Sequence, residues 1–231
     1  MRTLLLTLIF LVAMPLQAAE TKATVLYYRV SEPGIEPYLS RWLITPNFLR
    51  IDEGDEADNY LLFDRRKRTI YSVVHGDRTV LDIPYRAVER KPSKLLPQES
   101  RAIHDDKMPG ISGQPAIYRE LYVGKSLCYS VISVEQLLPD AVQAMRDYRT
   151  VLAGEQAKTL DNTPLELQDP CDLTLHIFSP LWLLEKGLPI QEWSPQGKAS
   201  ALLNYKIDEM VSSELFALPK EYRHYQTQEI K

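Results

Sequence analysis

Histidines, cysteines and clustered carboxylates are the groups through which this chain could do chemistry, and few of them stand at useful spacings. The histidines are His75, His104, His176 and His224. A zinc hydrolase would space two of them as HExxH, and a serine hydrolase would present GxSxG at a strand-to-helix turn. Neither pattern occurs. His104-Asp105-Asp106 is the one histidine–carboxylate cluster, and it lies in a polar stretch that reads as a solvated loop. His75 falls in an expected turn and His224 near the C-terminus, where solvent exposure accounts for both. His176 falls in an apolar segment, where a hydrogen-bonded core imidazole is the simpler reading.

Asp52, Glu53, Asp55, Glu56 and Asp58 crowd around Gly54. A calcium loop of the EF-hand type needs its glycine sixth and a glutamate twelfth, and Gly54 is misplaced for that. A charged hairpin tip is expected instead. No GxGxxG or GxxxxGK[ST] phosphate loop is present. The reading at this level is of a non-enzyme with no catalytic residues, no metal and no cofactor.

Cys128 and Cys171 are the only cysteines. No CxxC spacing supports thiol–disulfide exchange. In an oxidising compartment two cysteines most simply pair, and a Cys128–Cys171 disulfide is expected. The aromatic residues are more suggestive. Tyr27, Trp42, Phe48, Tyr71, Tyr118, Phe178 and Trp182, with Met145, could line an apolar hollow large enough for a lipid chain. Aromatic residues on strands are also the ordinary material of a core, and both readings stay open.

The elements that must position these groups begin after residue 18. Residues 1–18 have a basic start, an apolar run from Leu4 to Met14 and a small-residue exit at Ala18-Ala19. Those are the parts of a cleavable secretory signal peptide, and the run is shorter than the ~20 residues that span a bilayer. Residues 24–30, 40–45, 48–53, 60–63, 69–74, 79–83, 116–123 and 126–133 read as strands, rich in β-branched and aromatic residues. Gly76-Asp77 suggests a tight hairpin that sets Val73 opposite Val80 and Val74 opposite Thr79, with glycine supplying the positive φ. Gly124-Lys125 suggests another. Both faces of residues 60–83 carry apolar side chains, so periodicity does not say which face is inside.

The period then lengthens. Leu138, Ala141, Val142, Met145, Tyr148, Val151 and Leu152 recur at helical spacing, with Pro139 in the first turn and Gly154 placed as a C-terminal cap. Asp169-Pro170 reads as the N-cap and first position of a second helix, residues 173–186, bent near Pro180 and stopped by Gly187. Two further strands are expected over 188–193 and 199–210, and residues 220–231 form a polar C-terminal tail. The fold class is α+β, mainly β: a curved antiparallel sheet, an incomplete barrel, covered by two helices in one domain over 19–219.

Three local patterns carry a resemblance: Thr45-Pro46-Asn47-Phe48-Leu49-Arg50-Ile51, then Tyr60-Leu61-Leu62-Phe63-Asp64 leading to Thr69-Ile70-Tyr71-Ser72-Val73, and the closing Leu215-Phe216-Ala217-Leu218-Pro219. The chain resembles the periplasmic lipoprotein-carrier (Lol-type) superfamily, among its uncharacterised exported relatives. That resemblance implies an incomplete antiparallel barrel with helices as a lid over an apolar cavity. The carriers differ in having a helix before their first strand and an arginine where this chain has Thr45.

Removing residues 1–18 takes one of 27 basic residues and none of the 31 acidic ones, moving the net charge from −4 to about −5. A mildly acidic chain has no general attraction for nucleic acid, and Arg65-Arg66-Lys67-Arg68 reads as a solvated turn. The expectation is a soluble periplasmic protein without a membrane-spanning segment. It would bind a lipid or an acylated protein in a cavity between sheet and helices. The alternative is a structural or partner-binding module of the envelope with a solid core.

Overall fold

The computed structural model describes residues 19–54, 59–89, 97–103, 108, 110–160, 163–164 and 168–227. Residues 1–18, expected to be a signal peptide, His104-Asp105-Asp106 and, within the acidic run, Asp55, Glu56 and Asp58 lie outside the described residues.

The strands are β1 (Glu20–Glu32), β2 (Ile35–Ile44), β3 (Phe48–Asp52), β4 (Tyr60–Asp64), β5 (Thr69–Val74), β6 (Thr79–Pro84), β7 (Gln98–Ile103), β8 (Ala116–Val123), β9 (Ser126–Val134), β10 (Leu188–Trp193), β11 (Ala199–Ser212) and β12 (Arg223–Tyr225). They form one sheet in the order β12-β6-β5-β4-β3-β2-β1-β11-β10-β9-β8-β7, open at both ends. Most neighbours in this order follow one another in the chain, so short hairpins make the antiparallel ladders. The exception is β12, which pairs with β6 in parallel. The sheet is therefore mixed where sequence patterning suggested purely antiparallel pairing. Bulges in β1 against β11 bend its middle.

The β5–β6 register sets Val73 opposite Val80 and Val74 opposite Thr79, as the hairpin pattern predicts. The turn conformation differs. Residues 75–78 make a four-residue loop, and Arg78, not Gly76, carries the positive φ of 50°. Gly124 does take a positive φ, 62°, in the two-residue turn from β8 to β9.

Over β1–β6 both faces of the sheet are covered, which is why the alternation in residues 60–83 is ambiguous. On one face Leu26, Tyr28, Leu49, Phe63 and Ile70 pack with the long helix α1 (Pro139–Thr159) through Ala141, Val142, Ala144, Met145, Tyr148 and Val151. On the other face Val25, Leu43, Leu62, Tyr71 and Val73 pack under Phe216, Leu215 and Leu218. The chain thus folds back across the sheet after β11. Ser212 accepts from the Glu214 N–H to start a short 3-10 turn, Ser213–Phe216. The C-terminal segment continues into β12, so residues 223–225 of the expected polar tail pair with β6.

α1 begins at Pro139 as expected but runs five residues past Gly154, to Thr159. Gly154 is not a cap. A Cβ at this position would run into the backbone carbonyl of Arg86, so glycine here lets the segment that leaves β6 cross close above the helix. Gly154→Ala is expected to destabilise the protein by about 1–3 kcal/mol, the usual range for overpacking against a neighbour that must move. An unchanged urea midpoint would remove this role.

The second helical segment is shorter and more irregular than predicted. Asp169 caps it as read from sequence, its carboxylate accepting from the N–H groups of Cys171 and Asp172 at 2.8 and 3.0 Å. One α-turn, α2 (Pro170–Leu173), passes into a π-turn over Thr174–Phe178, and a 3-10 turn covers Trp182–Leu184. Pro180 separates these turns, since it cannot donate to a continuous helix. Cys171 is bonded to Cys128 on β9, with the Cα atoms 5.3 Å apart. Around this bridge Leu121, Val123, Val131, Leu175 and Leu183 form a third apolar cluster. No helix among the described residues is long and apolar enough to cross a membrane.

Candidate functional site

A hollow of ≈ 300 Å³ remains between α1 and the sheet. That volume is at the lower end of small-ligand pockets, ~300–1,000 Å³. Its sheet wall consists of Tyr28 and Val30 on β1, Trp42 on β2, Ile51 on β3 and Leu61 on β4. Met145 and Tyr148 close it from α1, and Leu184 and Pro189 from the far side. Alternation explains the sheet wall, because paired strands present every second side chain to this face.

The wall is an aromatic cluster with its polar atoms mostly satisfied. Tyr28 and Trp42 meet edge to face with ring centroids 6.0 Å apart, and Trp42 meets Tyr148 at 6.2 Å. The Trp42 indole N–H donates to Ser40 Oγ at 3.0 Å, and the Tyr28 hydroxyl donates to the Pro189 carbonyl at 3.1 Å. Burial pushes the Tyr148 hydroxyl up to about 12 and the Tyr28 hydroxyl higher still, so both are neutral at any physiological pH. The rim is polar. Arg149 of α1 faces Glu192 of β10 at 3.9 Å, both partly exposed, and Glu192 Oε2 has no hydrogen-bond partner among the described residues. A second depression of ≈ 220 Å³ shares Tyr38, Ser40, Ile51 and Leu61 with the first. A third, of ≈ 270 Å³, shares Val30, Glu192 and Ser200 and leads toward His176.

Of the eight residues singled out for an apolar cavity, Trp42 and Met145 line this hollow. Tyr27, Phe48 and Tyr71 sit one position out of phase, on the opposite face, packed with the C-terminal segment; the Phe48 and Phe216 rings stack at 5.8 Å. Tyr118 lies against Trp193, with centroids 5.6 Å apart, and Trp182 packs beside the disulfide. Phe178 ends the π-turn and joins none of the three clusters. Tyr28 and Tyr148 went unselected from sequence. Tyr28 is adjacent to Tyr27, and only the pairing register separates them.

The three described histidines, His75, His176 and His224, serve structural contacts. His75 Nδ1 is 2.7 Å from the Tyr222 hydroxyl, and His224 Nδ1 is 2.8 Å from Asp82 Oδ1. Both hold the C-terminal segment. His176 stands 3.7 Å from Asp172; burial lowers its pKa, against an opposing pull from that carboxylate. Asp52, the first carboxylate of the acidic run, is buried and accepts from Arg41 and Arg50 rather than facing solvent. Thr45 closes the β2–β3 turn: its hydroxyl accepts from the Phe48 N–H at 2.9 Å. Among the described residues no three His, Cys, Asp or Glu side chains converge as a metal site would require.

No family model and no curated protein matches this sequence. Among solved structures, the chain is similar to an uncharacterised conserved protein from Thermus thermophilus, at 7% identity and a TM-score of 0.46, over 89% of this chain and 91% of that one. It is also similar to PNGF-II in two crystal forms, at 10% and 9% identity with TM-scores of 0.42 and 0.41, over 90% of this chain in both. The match spans about a third of the PNGF-II chain, 31% and 32% in the two forms.

Proposed function

We propose that this chain is an exported, non-enzymatic protein of the bacterial cell envelope that holds a lipid chain or an acylated segment in the hollow beneath α1. The observation that supports this most is the hollow itself. It is walled by Tyr28, Trp42, Ile51, Leu61, Met145 and Tyr148, beside the packed core that α1 forms with Leu26, Leu49, Phe63 and Ile70. Apolar walls with a polar rim suit an amphiphile, whose chain leaves water while its head stays at the opening. The apolar run and exit of residues 1–18 support export to the periplasm.

Native mass spectrometry of protein extracted from the periplasm tests the reading. The wild type is expected to carry a lipid-sized adduct. Leu61→Trp adds bulk at a half-buried wall position and is expected to lower adduct occupancy roughly tenfold or more, the equivalent of ~1.4 kcal/mol. An adduct-free wild type, or equal loading of the variant, counts against the proposal. A second reading, a partner-binding envelope module, draws on Ile207 and Met210 of β11, which are 60% and 51% exposed. It expects clean protein in the same spectrum and a co-purifying polypeptide.

A further inference from the structure

We propose that β7 is a homodimer interface at which two copies join their sheets edge to edge about a two-fold axis through Ser100. β7 ends the sheet, and all six of its residues, Gln98–Ile103, are exposed. Among the described residues no strand pairs its outer edge. The Pro97 carbonyl accepts from the Gly124 N–H on the β8 side at 2.8 Å. Backbone groups alternate along a strand in an antiparallel ladder, so Glu99, Arg101 and Ile103 also direct theirs to β8. Gln98, Ser100 and Ala102 therefore direct their N–H and C=O groups outward. Pro97, which has no N–H, falls on the inward set and costs the outer edge no donor.

These outward groups are self-complementary in one register. An axis through Ser100 opposes Ser100 to its own copy and Gln98 to Ala102 of the second copy, giving about six inter-chain hydrogen bonds. The same register opposes Glu99 to Arg101 of the second copy twice, at non-hydrogen-bonded positions where side chains approach most closely. Within one strand the Arg101 guanidinium donates to Glu99 at 2.7 and 2.9 Å, and in the register with β8 Arg101 stands opposite Glu120, whose carboxylate accepts from the Tyr122 hydroxyl at 2.7 Å. Charge would thus alternate Glu120, Arg101, Glu99 across the junction. An axis through Glu99 or Arg101 would oppose like charges and turn inward-directed backbone groups to the seam. The open edge and its charge order fit a second copy of this chain by strand addition.

Sedimentation velocity of the full mature chain over a concentration series tests this directly. The wild type is expected to show a reversible dimer. Glu99→Arg and Arg101→Glu each place like charges opposite one another twice, and each is expected to weaken the dimer at least tenfold. The double variant Glu99→Arg/Arg101→Glu restores opposite charges and is expected to recover it. Both residues are about half exposed, at 52% and 51%, and far-UV circular dichroism is expected to show the fold unchanged in all three variants. A wild type that stays monomeric at every concentration overturns the proposal. So does a dimer indifferent to the single reversals, or a double variant that stays monomeric.

Discussion

Replacing Asp52 with alanine is expected to destabilise the protein by about 3–5 kcal/mol, the usual consequence of removing one partner from a buried ion pair. The Asp52 side chain is fully buried, that of Arg50 is 4% exposed and that of Arg41 18%. The carboxylate accepts from Arg41 Nε and Nη2 at 2.8 and 2.9 Å, from Arg50 Nε at 2.6 Å and from the Gly54 N–H at 3.1 Å. Arg50 in turn donates to the Leu215 carbonyl at 2.8 Å and lies 3.7 Å above the Tyr60 ring. The Tyr60 hydroxyl donates to the Ala217 carbonyl at 3.3 Å. Asp52→Ala would leave the Arg50 guanidinium buried without its counter-ion, and that guanidinium anchors the segment covering the second face of the sheet. At ~2–4 °C per kcal/mol for a chain of this size, the thermal midpoint should fall by roughly 10 °C.

The pH dependence follows from the same geometry. Burial alone would raise the Asp52 pKa, but the hydrogen bonds and charges of Arg41 and Arg50 outweigh it and hold the carboxyl below its ordinary value. Between that lowered value and the unfolded value of about 3.9 the unfolded chain binds more protons, so stability rises with pH. The contribution is complete above the unfolded pKa and disappears as pH falls through the folded one. Urea midpoints of wild type and Asp52→Asn are therefore expected to differ fully at neutral pH and to begin converging only below about pH 4, as pH falls toward the lowered folded value. A gap that stays constant to low pH would show that the charge is not its source.

The second large effect is expected at the disulfide. Cys128 and Cys171 are 43 residues apart, and chain entropy assigns a closed loop of that length about 4 kcal/mol. The bridge joins β9 to the first turn of α2, inside the cluster of Leu121, Val131 and Leu175. That turn is a single α-turn followed by a π-turn, so it has little helical stability of its own. Cys128→Ala/Cys171→Ala, or the wild type under reductant, is expected to lose about 4 kcal/mol in urea unfolding. Oxidised and reduced protein with the same midpoint would place the stability of this region in packing alone.

How much of the fold and site could be read from residues alone depended on the range of the interactions involved. The Val73–Val80 and Val74–Thr79 pairing was legible because a short loop sets the register of a hairpin. The Asp169 cap was legible because an aspartate before proline can satisfy the next free N–H groups locally. Residues that a distant segment covers were less legible. Tyr28 faces α1 and Tyr27 faces the C-terminal segment, and each looks like a core residue in isolation. Gly154 looked like a helix stop because the chemistry of a cap and of a close crossing both call for glycine; the crossing partner, Arg86, is far away in sequence. The return of Arg223–Tyr225 to β6 had no local signal at all, since three polar or aromatic residues carry no strand period.

By itself the sequence determined the mainly β class, the hairpins, the long amphipathic helix, the choice of cysteines to pair and the cap of α2. Each of these depends on residues within a few positions or on a count. Only the tertiary structure decided that both faces of β1–β6 are buried, which aromatic residues meet under α1, and that Asp52 serves a buried ion network instead of a solvated tip. The physical reason is that alternation along a strand separates two faces without saying what covers either one. The covering comes from segments brought back over the sheet, α1 on one side and residues 213–219 on the other, and their approach is decided by packing across the whole chain.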